Sequence, residues 1–156
     1  MDPLRHHVSN LLAAKGAHIN FHDAVEGFPK ELYGKRPPSV PFTAWQLLEH
    51  MRIAQWDILE FSRDARHVSP KWPDGYWPET DAPPNAEAWD ESVQQFNDDL
   101  AAMQELIARP EADLLARIPH GEGQTLLREA LILADHNSYH LGQLVFLRKM
   151  LGAWDR

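Results

Sequence analysis

Two histidines late in the chain, His136 and His140, stand four residues apart in the stretch Asp135-His136-Asn137-Ser138-Tyr139-His140-Leu141-Gly142-Gln143-Leu144. The surrounding run from Thr125 to Leu151 repeats its apolar residues at helical spacing and predicts one long helix. At about 3.6 residues per turn both imidazoles leave the same face, near enough to bind one metal ion. Leu133, Leu144 and Leu147 share that face, so the rings point into a core. Nitrogens buried among leucines need partners, and a divalent cation satisfies one on each ring. The same spacing also arises by chance in packed or solvated histidines. The pair alone does not decide the chemistry.

A third histidine lies on an earlier predicted helix. Thr43 and Gln46 form a capping-box pattern, with Phe42 and Leu47 at the flanking staple positions. The helix that follows runs to about Asp64, and Leu47, His50, Ala54, Asp57, Ile58 and Phe61 share one broad face of it. His50 therefore sits in an apolar stripe, as His136 and His140 do. Three imidazoles converging between helices suit Zn²⁺, Ni²⁺ or Fe²⁺ and leave a position open for water or substrate. A di-iron carboxylate centre needs Glu-x-x-His on two helices, and the chain has no such motif. It has no His-Glu-x-x-His either, which weighs against a zincin peptidase.

The rest of the chain must position these rings. Asp2-Pro3 starts a helix carrying Leu4, Val8, Leu11 and Leu12, which Gly16 interrupts. Asn20-Phe21-His22-Asp23 caps a short turn running to Gly27. His18 and His22 also stand four apart and are the main rival ligand pair, on a less regular segment. The proline-rich stretch 35–41 is a stiff linker. Between Arg66 and Asn85 five prolines accompany Trp72, Tyr76 and Trp77. That loop is expected to pack over the helices, either across a pocket mouth or simply over one end of the core. His67 within it reads as a surface histidine. Asn85 is placed to cap a helix from Ala86 to about Arg109, with Trp89, Val93, Phe96, Leu100, Met103 and Ile107 inward and Pro110 ending it. Glu111 to Ile118 has room for one short turn. A polar turn then holds His120, which serves the turn or touches a ligand, before Gln124 or Thr125 caps the last helix and Gly152 closes it. Four amphipathic helices without strand alternation predict an all-α four-helix bundle. The long connections 27–42 and 66–85 permit an overhand crossing.

Composition narrows the function. The 156 residues read as a single domain, 1–156, able to bury one core. A formal net charge of −8 and scattered Lys and Arg argue against nucleic acid as a partner. With no cysteine, disulfides, thiolate ligands and a cysteine nucleophile drop out together. The first residues, Met1-Asp2-Pro3-Leu4-Arg5-His6-His7, do not resemble a signal peptide, and no apolar run approaches the ~18 residues of a membrane span. A cytoplasmic location is the default expectation.

Two segments carry a family resemblance: Ala44-Trp45-Gln46-Leu47-Leu48-Glu49-His50 with its long helix, and Ala134 through Leu144 with its spaced histidines, Gly142 and Gln143. In these, and in length and helix order, the chain resembles the DinB/YfiT-like superfamily. The resemblance implies a four-helix bundle holding one divalent metal, commonly nickel or zinc, through a histidine triad, often in a homodimer. By position the triad is His50, His136 and His140. Some members of that superfamily are transferases or isomerases using low-molecular-weight thiols. The expected function is therefore metal-dependent, of the thiol-dependent transferase or hydrolase kind, on a small-molecule substrate. The alternative is a bundle that binds a metal or small ligand without catalysis; a metal-free interaction domain with packed histidines is a third reading.

Helical geometry also nominates residues around the triad. Gln143 borders the His136–His140 face and Asp57 stands two turns after His50. Either can orient an imidazole through its outer N–H or hold a water at the metal; Glu129, two turns before His136, is a weaker choice. Six tryptophans are many for this length, and Trp45, Trp56 or Trp154 would suit a dimer contact.

Overall fold

Most helices here begin at a side chain that satisfies their first free N–H groups. The computed structural model describes residues 2–154 and shows α1 over Pro3–Leu12, α2 over Phe21–Val25, α3 over Ala44–Arg63, α4 over Ala88–Ala108 and α5 over Leu126–Met150. Single 3-10 turns occupy Lys30–Leu32 and Asp74–Tyr76. Met1, Asp155 and Arg156, which the reading of 1–156 as one domain includes, lie outside the described residues. Asp2 accepts from the Arg5 N–H ahead of Pro3, and Asn20 accepts from the Asp23 N–H. At α3 the Thr43 hydroxyl accepts from Gln46 N–H while the Gln46 side chain accepts from Thr43 N–H, both at 3.1 Å. Thr125, not Gln124, caps α5. Asn85 does accept from Glu87 and Ala88 N–H groups, but this tight turn starts α4 at Ala88, two residues later than expected. Gly152 takes a left-handed conformation (φ +71°) that closes α5.

The apolar faces build two clusters. One gathers Phe21, Phe28, Tyr33, Leu47, Leu48, Met51, Trp89, Phe96, Leu141, Leu144 and Leu147. The other gathers Val8, Leu12, Leu59, Met103, Ile107, Leu126, Ala130 and Leu133, and Leu100 packs against both. Each fully buried Leu, Met or Phe in them contributes about 1.5–3 kcal/mol of transfer free energy.

α3 packs against α4 and α5, and α1 packs against the same two helices from the other side. α1 and α3 are thus diagonal, and the chain crosses the bundle between them through residues 13–43. The aromatic-rich connection 66–85 joins neighbours, α3 and α4, so the crossing falls on only one of the two connections singled out by length. Its consequence is that α3 and α5, which carry all three candidate ligands, lie side by side.

Two tryptophans suited on sequence to a dimer contact are used internally. Trp45 is buried and its indole N–H donates to Thr80 Oγ1 at 3.2 Å. Trp56 lies edge-on to the His67 ring. No helix among the described residues is long and apolar enough to cross a membrane.

Thr43 is fully buried, caps α3 and also donates its hydroxyl to the Asp81 carbonyl at 2.7 Å. Replacing Thr43 by Ala is expected to lower unfolding free energy by about 1–2 kcal/mol. A urea transition with an earlier midpoint and unchanged slope is the expected result; an unmoved midpoint would contradict it.

Candidate metal centre

The crossing lets α3 present His50 to α5, where His136 and His140 stand one turn apart. Each of the three rings brings one nitrogen into a group whose atoms all lie within 4.8 Å of one another. His50 Nε2 is 3.1 Å from both His136 Nε2 and His140 Nε2. His50 is buried and the other two are partly buried. Burial depresses all three basicities; desolvation and the neighbouring rings push His136 down to about 4. The rings are therefore neutral at physiological pH, the form in which imidazole donates to a cation.

The outer nitrogens determine what the inner ones offer. His50 Nδ1–H donates to the Tyr76 carbonyl at 2.9 Å, an acceptor that leaves no choice of tautomer. His140 Nδ1–H donates to Gln143 Oε1 at 2.7 Å, so Gln143 orients a ring as its position on α5 suggested. With their hydrogens on Nδ1, His50 and His140 aim bare Nε2 lone pairs at each other across 3.1 Å. Two acceptors at hydrogen-bond distance repel unless something positive lies between them. The donor set fits a cation.

The 66–85 loop completes this arrangement. Trp77 stacks flat on His50, with ring centroids 4.0 Å apart and planes 2° from parallel, and Phe42 lies beyond Trp77. The loop thus covers the site, through Trp77 and not through Trp72, which is largely exposed and meets only Tyr76 among aromatic rings. Asp57 has a different place from the one its position on α3 suggested. Its carboxylate accepts from His67 Nε2–H at 2.7 Å and from the Tyr76 hydroxyl at 2.6 Å, and it bonds to no triad ring. Its effect reaches His50 indirectly, because Tyr76 is held at both ends. His67 is accordingly not a surface residue, with a side chain only 9% exposed. Burial and the Asp57 carboxylate push the Tyr76 hydroxyl up to about 12.

Other nominated residues lie elsewhere. His120 donates Nε2–H to the Phe61 carbonyl at 2.6 Å, away from the triad, so it serves its turn. Glu129 is buried against Arg128. His18 bonds to the Ile19 carbonyl and to Ser138, and the His22 side chain is 70% exposed beside Glu26. Neither joins a group of three ligands among the described residues. Two buried amides went unnoticed in sequence: Gln55 Nε2 donates to the Phe96 carbonyl at 2.6 Å, and Asn137 Nδ2 donates to Gln55 Oε1 at 2.9 Å. The available signal was a polar residue in register with apolar ones, since Asn137 falls between Ala134 and Leu141. The Tyr76 carbonyl, a backbone group, had no such signal.

An all-α bundle with a largely buried three-histidine cluster between its second and last long helices defines the class. The chain belongs to the DinB superfamily, whose family profile it matches over residues 15–144. That span contains His50, His136, His140 and Gln143 and leaves α1 outside. No curated protein and no solved structure matches the chain.

Removing the Asp57 carboxylate strands two donors at once. Asp57→Ala is expected to cost about 2–4 kcal/mol and Tyr76→Phe about half of that, because only one charge-assisted bond is lost. Equal costs in chemical denaturation would show that Asp57 acts through something other than these two bonds.

Proposed function

We propose that His50, His136 and His140 hold one divalent metal ion, Zn²⁺, Ni²⁺ or Fe²⁺, and that the chain is a metal-dependent enzyme of the thiol-dependent transferase or hydrolase kind. The observation that carries the metal reading is the pair of bare Nε2 atoms facing each other at 3.1 Å, their tautomers set by Tyr76 and Gln143. Three neutral ligands leave the ion's full positive charge in the site, and membership of a metal-associated family supports the assignment. Such an ion supplies Lewis acidity that lets a water or thiol react as its anion at neutral pH.

The chain's own residues do the rest. Tyr76 and Gln143 hold two rings in donor orientation, and Trp77 shields the His50 side from water. Because the chain contains no cysteine, any thiol in the reaction arrives with a cosubstrate. The three-imidazole set favours neither transfer nor hydrolysis. A small-molecule electrophile with a low-molecular-weight thiol is the first substrate pair to assay.

Untagged protein is expected to carry about one divalent ion per chain by elemental analysis, and His136→Ala to fall to background while staying folded. His22→Ala, an exposed histidine, is the control and should keep its metal. Metal retained in His136→Ala would refute the site. Metal binding without turnover of thiol and electrophile pairs or of hydrolysable esters and amides would leave a metal-binding bundle and remove the enzymatic reading.

A further inference from the structure

All five helices contribute to the wall of one gap that their side chains do not fill, a cavity of about 150 Å³. Its floor is apolar and buried, formed by Phe21, Met51, Phe96, Ala134 and Leu141, with the Phe21 and Phe96 rings stacked at 3.8 Å. Its rim is polar and reaches solvent at His18, His22 and Asn97. None of the three triad histidines lines it. A buried water needs about two to four polar partners, and these floor side chains offer none. A cavity of roughly this volume lined by Leu, Ile and Phe stays dry and takes up a benzene ring. The floor therefore suits an apolar ring better than solvent.

The rim supplies one fixed acceptor. His18 Nδ1 lies 2.7 Å from the Ile19 carbonyl, which can only accept, so that nitrogen carries the hydrogen. Nε2 of the neutral ring is then an acceptor, and the Ser138 hydroxyl donates to it at 3.2 Å, long for an O–H donor. His18 and Ser138 both line the cavity, so a ligand hydroxyl can take the place of Ser138. Two other polar lining residues are already committed. Asn20 Oδ1 caps α2, and Asn137 gives its Nδ2–H to Gln55 while its Oδ1 is closed off even from water. We propose that this cavity is a binding site for a small molecule made of one aromatic ring and a hydroxyl donor. The ring lies against Phe21, Met51 and Phe96, and the hydroxyl donates to His18 Nε2. The site is separate from the metal centre and does not rest on the function proposed above.

Phenol and toluene, equal in non-hydrogen atoms and differing in the donor, are the probes. Each is titrated into full-length protein carrying ¹³C-methyl methionine, with the Met51 and Met103 signals assigned by their loss in Met51→Leu and Met103→Leu. Met103 belongs to the other apolar cluster and reports non-specific binding. Phenol is expected to displace the Met51 signal saturably, with a dissociation constant of about 1 mM or below, and to leave Met103 in place. Toluene should do the same about 2–10-fold more weakly, for want of the hydrogen bond. His18→Ala, at an exposed position, should bring phenol down to the level of toluene and leave toluene unchanged. Ala134→Leu fills the floor and should abolish both. No saturable displacement of Met51 in the parent, or an equal one at Met103, overturns the proposal whether or not the variants fold. A folded Ala134→Leu that binds toluene as the parent does overturns the site. A His18→Ala that still prefers phenol overturns the assigned acceptor and with it the ligand class.

Discussion

The rest of this structure depends on one constraint: imidazoles placed among leucines must find partners for both of their nitrogens. Leaving a buried donor or acceptor unmatched costs about 1–3 kcal/mol, and three rings carry six nitrogens. Two of the outer nitrogens have protein acceptors, and the three inner ones meet at a point. No arrangement of hydrogens on the rings alone satisfies all three inner nitrogens at once, because at most one hydrogen can lie between any two. A folded chain with a total stability of about 5–15 kcal/mol has little room for such a deficit. A cation at the meeting point removes it, which is why the apparent frustration of the cluster points to a ligand.

The fold serves that constraint through its topology. Neighbouring helices in an up-down bundle are usually consecutive in sequence, yet the triad draws one residue from α3 and two from α5. The diagonal passage of residues 13–43 makes those helices adjacent, and α3, α4 and α5 each contribute to both apolar clusters, with Leu100 of α4 packed against the two. The loop between α3 and α4 is then free to fold back over the histidines. It is tied down where it matters: Asp57 holds Tyr76 by its hydroxyl, the Tyr76 carbonyl holds His50, and the next residue, Trp77, lies flat on the same ring. A turn with few helical hydrogen bonds of its own is thereby positioned from α3.

How much of this is legible in the chain follows from the kind of signal each feature leaves. Helix caps depend on a side chain and the three residues after it, so Asp2, Asn20 and Thr43 were readable and Thr125 was one of two neighbouring candidates. The inward histidines were readable because periodicity reports direction from the helix axis. Periodicity cannot report what stands opposite. Asp57 and Gln143 looked equivalent on their helices, yet one meets a loop tyrosine and the other a triad ring. His67 looked solvated because a proline-rich loop has no period, and its burial exists only once the loop has packed. His120 was ambiguous for the same reason, its partner being a backbone carbonyl on α3.

The buried amides add a separate argument about register. Gln55 lies between Met51 and Leu59, and Asn137 between Ala134 and Leu141, so their contact falls at the boundary between the two apolar clusters. Apolar side chains alone tolerate sliding of one helix past another, since leucines substitute for leucines at little cost. A buried amide pair does not tolerate it. Displacing α5 by one turn would separate Asn137 from Gln55 and leave several polar atoms unmatched in the interior. The same displacement would carry His136 and His140 past His50, because Asn137 and the two histidines ride on consecutive turns of one helix. The residues that fix how α3 and α5 align are therefore next to the residues that need the alignment. This is the role for which buried polar contacts are best attested, specifying one packing among several that hydrophobic burial would accept.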